Sequence, residues 1–293
     1  MAAHVEIISF FDDKTHTVSH LIADPASGIA AVIDPVLDFD PVSGKATTHG
    51  AAAILARAKA RGWIIACCLE THVHADHLSA SGFFKRETGA KIGIGARISE
   101  VQQIFRPIFN ATDLSGSGAE FDHLFEDGES FRIGTLQARV MATPGHTPAC
   151  VSYCIADAVF VGDTLFMPDY GTARADFPGG DARTLYRSIR RLLALPPATR
   201  LFMCHDYGAA PRQGSGGSDF VSATTVVAQR GGNIHVRDGV SEAEFVALRE
   251  ARDKTLAPPQ LLLPSIQVNL RSGALPPAEA NGVSYLRIPV TLE

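Results

Sequence analysis

The sequence predicts an α/β fold in which strands and helices alternate along most of the chain. Two observations point to it. Apolar runs of strand length recur between helical stretches closed by glycine, and four groups of histidine or aspartate each fall in a loop just after a strand. With 293 residues, 46% of them hydrophobic and 19% charged, the chain can bury a sizeable core without disulfides, as one large domain or two small ones. The net charge of −5 and a pI near 6.1 argue against a nucleic-acid partner, which leaves a basic footprint. A small anionic substrate needs only a few local arginines and is compatible with that balance.

Residues 5–11, 19–23 and 29–33 read as strands, the third ending at Asp34-Pro35. Residues 37–50 are polar and turn-rich and are expected to form a loop. Residues 51–61 are helical and stop at Gly62, and 63–70 is a near-continuous apolar run that suits a strand buried on both faces. A helix is expected over 78–88, closed by Gly89, then a strand over 91–94 and mixed helix and loop over 102–125. Residues 130–143 alternate as two strands around Gly134, and 151–156 and 159–161 follow as strands split at Ala156-Asp157. A helix over 184–194 and a buried strand over 200–204 complete this part. After Tyr207 the texture turns to glycine, serine and proline, with one helix over 242–254. Residues 1–208 are therefore expected to be the catalytic domain and 209–293 an extension wrapping it.

The five cysteines, Cys67, Cys68, Cys150, Cys154 and Cys204, lack C-x-x-C spacing and read mainly as small buried hydrophobes. Cys204 stands apart because it precedes a candidate ligand. No stretch approaches the roughly 18 apolar residues of a membrane span, and residues 1–14 lack a basic, apolar leader. A cytoplasmic setting is the expectation.

The chemistry concentrates at Thr71-His72-Val73-His74-Ala75-Asp76-His77, where three imidazoles and a carboxylate fall within six residues. Each brings a polar group that needs a partner, and neutral imidazole with carboxylate is the donor set of first-row divalent metals. His72 and His74 can point the same way from an extended segment, and Asp76 and His77 can face a second metal position. Thr143-Pro144-Gly145-His146-Thr147 aims another imidazole from a turn. Asp163 ends an apolar strand, and His205 ends another. Taken singly, Asp163 suits a turn cap as well as a ligand, and His205 suits a satisfied core residue. Their order, each at a strand end, makes the case for a metal site.

The series T-H-x-H-x-D-H, T-P-G-H-T, G-D and a final strand-end histidine resembles the metallo-β-lactamase superfamily over roughly residues 5–208. That resemblance implies an αββα four-layer sandwich with the metal along one edge between two sheets. Within the superfamily, residues 170–177 (Y-G-T-A-R-A-D-F), His205-Asp206-Tyr207 and the tail run 263–271 (L-P-S-I-Q-V-N-L-R) resemble glutathione persulfide dioxygenases. The insertion at 38–45 resembles a bacterial subgroup of them. Ala175 stands where the family segment has threonine, and residues 79–82 depart slightly from its T-G-S pattern.

The branch resemblance implies one Fe(II) on His72, His146 and Asp163, oxidising glutathione persulfide with O2 and water to sulfite and glutathione. His74, Asp76, His77 and His205 would then form an unfilled second position or a hydrogen-bonded surround for the ligands. Every ligand of a two-zinc site is also present, so a binuclear-zinc thioester hydrolase resembling glyoxalase II stays as the alternative. The expectation of a single tail helix disfavours it, since that family carries a helical C-terminal domain. Glutathione has two carboxylates, so Arg174 is expected to bind one of them, with Tyr170, Tyr207 and Arg212 as further candidates. The resemblance also implies a homodimer.

Overall fold

A computed structural model of the chain describes residues 5–208 and 220–292. Its first half holds β1 (Glu6–Asp12), β2 (Thr17–Asp24), β3 (Ile29–Ile33), β4 (Val36–Asp40), β5 (Lys45–Thr47), α1 (His49–Ala60), β6 (Ile64–Leu69), β7 (Leu78–Ser79), α2 (Ser81–Thr88), β8 (Lys91–Gly95), α3 (Ile98–Ile108) and β9 (His123–Phe125). The second holds β10 (Ser130–Ile133), β11 (Leu136–Ala142), β12 (Val151–Ile155), β13 (Ala158–Phe160), α4 (Ala182–Leu193), β14 (Arg200–Phe202), β15 (Ala223–Thr225), α5 (Val226–Gly232), α6 (Glu242–Asp253) and α7 (Leu262–Asn269). Among the described residues there are two six-stranded sheets, ordered β1-β2-β3-β6-β8-β9 and β10-β11-β12-β13-β14-β15, and a small sheet β5-β4-β7.

The layers follow from side-chain alternation. In β2, Leu21 and Ala23 join the core beneath α1, α2 and α3, while Ile22 between them points into the core shared by the two sheets. In β13 and β14, Phe160 and Phe202 enter that same shared core, and Val159 and Leu201 face the core under α4, α5 and α6. Both central strand sets are apolar on each face because each face is covered. Helices outside, sheets inside, give the metallo-β-lactamase αββα sandwich. Backbone contacts also join the sheets where the site lies: Val18 N–H donates to Cys204 O at 2.7 Å, and Thr17 bridges His205.

Three expectations need correction. Residues 37–50 are no plain loop, since β4 and β5 pair as a hairpin and β4 also pairs with β7. Its outer strand is wholly exposed, so no apolar alternation marked it, and Asp40 closes its turn by accepting from Val42 N and Ser43 Oγ. The helix expected from residue 78 starts at Ser81, because Leu78 and Ser79 are claimed by the strand pairing. The tail holds α5 and α7 besides α6. Two glycines in α5 and Pro264 in α7 hid them; Pro264 sits in the first turn, where a missing N–H costs nothing. The tail's helical content therefore no longer argues against a thioester hydrolase. No helix among the described residues is long and apolar enough to cross a membrane.

Candidate metal centre

Four loops, after β6, β11, β13 and β14, deliver the histidines and aspartates to one place. His72, His146 and Asp163 put one donor atom each within 4.8 Å of one another. His74, Asp76 and His77 do the same, as do Asp163, Cys204 and His205. Asp163 spans the groups: its Oδ2 lies 3.6 Å from His146 Nε2 and 3.9 Å from His72 Nε2, and its Oδ1 lies 3.2 Å from His205 Nε2. Two glycines permit this convergence. Gly145 (φ 136°) lies against the backbone of Leu185, and Gly162 (φ 52°) against the side chain of Thr71, so a Cβ at either would overlap its neighbour. The residue types of P-G-H and G-D thus have a steric cause.

Every imidazole has one nitrogen tied down and the other facing inward. Arg174 O can only accept, so His146 Nδ1, at 2.8 Å, carries the proton and Nε2 keeps its lone pair. Thr71 Oγ1 donates to Asp34 Oδ2 at 2.8 Å and so accepts from His72 Nδ1 at 3.0 Å. His74 Nε2 donates to Asp34 Oδ1 at 3.0 Å, and His205 Nδ1 to His16 O at 3.2 Å. Of the atoms left over, His72 Nε2, His74 Nδ1 and His77 Nε2 are buried with no hydrogen-bond partner, and His205 Nε2 and Asp163 Oδ1 face each other. Buried polar atoms are rarely abandoned, and imidazole nitrogens gathered around a carboxylate in this way fit a divalent cation. This is a metal-binding site.

The electrostatics divide the cluster. Burial holds the His72 imidazole well below its ordinary value, whereas burial of His74 is outweighed by Asp34 and Glu70, which raise it to about 9. His205 is likewise buried and raised to about 9 by Asp163 and Asp76. In the sequence Asp34 is only a strand end; the signal for more is an aspartate directly after a fully apolar strand, a costly place for an unpartnered charge. Asn269 belongs in the sequence only to the tail resemblance at 263–271. Its Nδ2 donates to His74 O (2.9 Å) and His77 O (2.8 Å), and its Oδ1 accepts from Ser79 N (2.7 Å). Arg271 forks onto Asp113 at 2.7 Å. The run at 263–271 thus clamps the ligand loop from behind.

The cluster opens into a cavity of about 710 Å³ lined by His146, Asp163, Tyr170, Arg174, Tyr207 and the β4 strand, among others. Tyr207 stacks on the His205 ring with 4.9 Å between centroids, and Tyr170 stacks on Tyr207 at the same spacing. Arg174 lines the cavity with its guanidinium already engaged, donating to Asp176 at 2.6 and 2.7 Å and to Ala257 O at 2.8 Å. Arg212 lies outside the described residues. The five cysteines are free, and Cys204 Sγ lies 3.6 Å from Asp34 Oδ2.

Fold and donor set together define a metal-binding protein of the metallo-β-lactamase type, and the chain belongs to the Metallo-beta-lactamase superfamily, matched over residues 15–205. It is 51% identical to the "Probable metallo-hydrolase" of Burkholderia pseudomallei, covering 96% of this chain and 97% of that one. It is 49% identical to a "Beta-lactamase hydrolase-like protein" of Agrobacterium fabrum, of whose length it spans only 65% while 99% of this chain is covered. "Glyoxylase B2" of Dictyostelium discoideum is 45% identical over 99% of this chain and 98% of its own. Mouse mitochondrial "Persulfide dioxygenase ETHE1" is 28% identical over 94% of this chain and 91% of its own. The crystal structure of ETHE1 from Myxococcus xanthus superposes with a TM-score of 0.73 at 28% identity, covering 92% of this chain and all of that one.

Proposed function

We propose that the chain is a persulfide dioxygenase that oxidises glutathione persulfide with O2 and water to glutathione and sulfite, at one Fe(II) on His72, His146 and Asp163. The observation that carries this reading is the donor set: two imidazoles and one carboxylate converging beside a cavity, a composition that would leave a bound iron open to O2 and substrate. The likeness to ETHE1 proteins along more than nine-tenths of the chain supports it. Iron bound there would supply the redox chemistry that zinc lacks. The protein's own part is positional. Arg174 O and Thr71 Oγ1 fix the two imidazoles, and Tyr170, Tyr207 and Phe166 wall one side of the cavity with rings that exclude water.

A binuclear-zinc thioester hydrolase is the second reading. His74, Asp76, His77 and His205 favour it, with Asp163 placed to serve both metals, as does the 45% identity to Glyoxylase B2. Elemental analysis of protein purified without added metal, paired with an oxygen electrode, separates the two. About one iron per chain, with O2 uptake and sulfite release from glutathione persulfide, is the expected result. About two zincs, no O2 uptake and cleavage of a glutathione thioester would replace it with the hydrolase.

A further inference from the structure

The segment 164–175, which carries Tyr170 and Arg174 along the cavity wall, is fastened by buried side chains of α5 and α6, outside the stretch matched to the superfamily. Gln229 Nε2 donates to Phe166 O at 2.7 Å and Asn233 Nδ2 to Gly171 O at 2.9 Å. Arg249, 1% exposed, donates through Nη1 to Thr172 O at 3.1 Å and through Nε to Asp253 Oδ1 at 2.9 Å. Asp253 Oδ2 accepts from Ala175 N–H at 2.9 Å. That N–H belongs to the same peptide unit as the Arg174 carbonyl, which accepts from His146 Nδ1 at 2.8 Å.

A peptide unit is planar, and in the trans form its N–H and C=O point in opposite directions. Fixing one end of the unit therefore fixes the other. We propose that Asp253 is a positioning residue for the metal centre, acting on His146 through the single peptide unit joining Arg174 to Ala175. Asp253 sets the plane of that unit, so its carbonyl meets the His146 ring at one angle. The carboxylate charge on the N–H also polarises the carbonyl, strengthening its hold on Nδ1–H and making Nε2 a better donor. Arg249, four residues earlier on the same helix, holds Asp253 in turn and closes the device onto Thr172. The effect resembles that of a carboxylate bonded directly to a ligand histidine, with a peptide inserted between. The proposal rests on His146 being a metal ligand and is indifferent to which metal or which reaction the site serves.

The test reads metal binding, not turnover. Cobalt(II) affinity by chelator competition, the cobalt d–d absorption and the His146 Nδ1–H proton resonance of the metal-free chain are compared in wild type, Asp253→Ala, Asp253→Asn and Phe245→Leu. Phe245 is a buried side chain on the same helix, so its replacement loosens α6 without removing any of these hydrogen bonds. Asp253→Ala is expected to weaken cobalt binding about 10- to 100-fold, shift the d–d band and move the Nδ1–H resonance upfield. Asp253→Asn, which keeps an acceptor and loses the charge, is expected to lose several-fold. Phe245→Leu is expected to lower Tm while leaving affinity within about twofold and the resonance in place. Wild-type affinity and resonance in Asp253→Asn would overturn the proposal, as would an equal loss of affinity in Phe245→Leu at matched Tm. If Asp253→Ala does not fold, Asp253→Asn against Phe245→Leu decides. Absence of dioxygenase activity would leave this result standing.

Discussion

His72, His146 and His205 differ from His74 in what lies behind them. The first three donate one ring N–H to neutral oxygens, a threonine hydroxyl and two peptide carbonyls. His74 is backed directly by the Asp34 carboxylate, and His205 has two carboxylates, Asp76 and Asp163, within 3.4 Å of Nε2. A neutral anchor orients a ring without adding charge, whereas a nearby carboxylate stabilises the protonated ring when no metal is present, as it does for His74 and His205. One cluster of similar residue types thus contains two kinds of site. A third kind of histidine supplies the contrast. His20 is buried with both nitrogens used, Nδ1 on Ser9 Oγ and Nε2 on Met203 O, each at 3.0 Å. A bare inward nitrogen, and not burial, distinguishes a ligand from a core histidine.

Asp163 belongs to both halves, so its loss should have the largest effect. Asp163→Ala is expected to strip metal from the whole cluster and lower kcat/KM by about a thousandfold or more, read by elemental analysis beside O2 uptake. The comparison is broken or upheld by His146→Ala against His77→Ala. The dioxygenase reading expects His146→Ala to lose iron and activity, while His77→Ala keeps its iron and most of its O2 uptake. Equal loss in both would mean that the halves work as one binuclear centre.

Asp34 stands behind His72 through Thr71 and behind His74 directly, so Asp34→Ala should loosen both halves. Metal affinity is expected to fall about 10- to 100-fold in a chelator titration. Arg174→Ala leaves the backbone carbonyl that holds His146 in place. It should raise KM by several-fold with metal content intact, and an unchanged KM would remove the side chain from substrate binding. The smallest effect on the site concerns His20, whose pKa burial pushes down to about 4 in spite of its bond to Met203 and the charge of Asp34. Its ordinary value of 6.5 is the higher, so the neutral ring contributes stability that is complete above pH 6.5 and lost as pH falls toward 4. Urea unfolding should show a loss across that interval that is smaller in His20→Gln by on the order of 2 kcal/mol, with metal affinity at neutral pH the same in both.

The sandwich, and the histidines and aspartates gathered at its strand ends, were legible in the sequence alone. Strand runs such as residues 29–33 and 159–161 are apolar on consecutive positions, as a strand covered on both faces requires. The ligand motifs are local in the chain, so their spacing and glycines were legible without coordinates. What lay hidden was whatever pairs residues far apart in sequence. The β4–β5 hairpin is too exposed to carry an apolar signature, and α5 and α7 contain the glycine and proline that ordinarily end helices. Asp34, Asn269 and Asp253 read singly as a strand end, a tail residue and a helix end. Only the tertiary structure decided that Asp34 sits behind two histidines, that Asn269 ties the ligand loop 195 residues back along the chain, and that Asp253 meets the peptide bonded to His146. The physical reason is that a hydrogen bond depends on distance in space. An orienting group can be drawn from anywhere in the chain that the sandwich brings within about 3 Å.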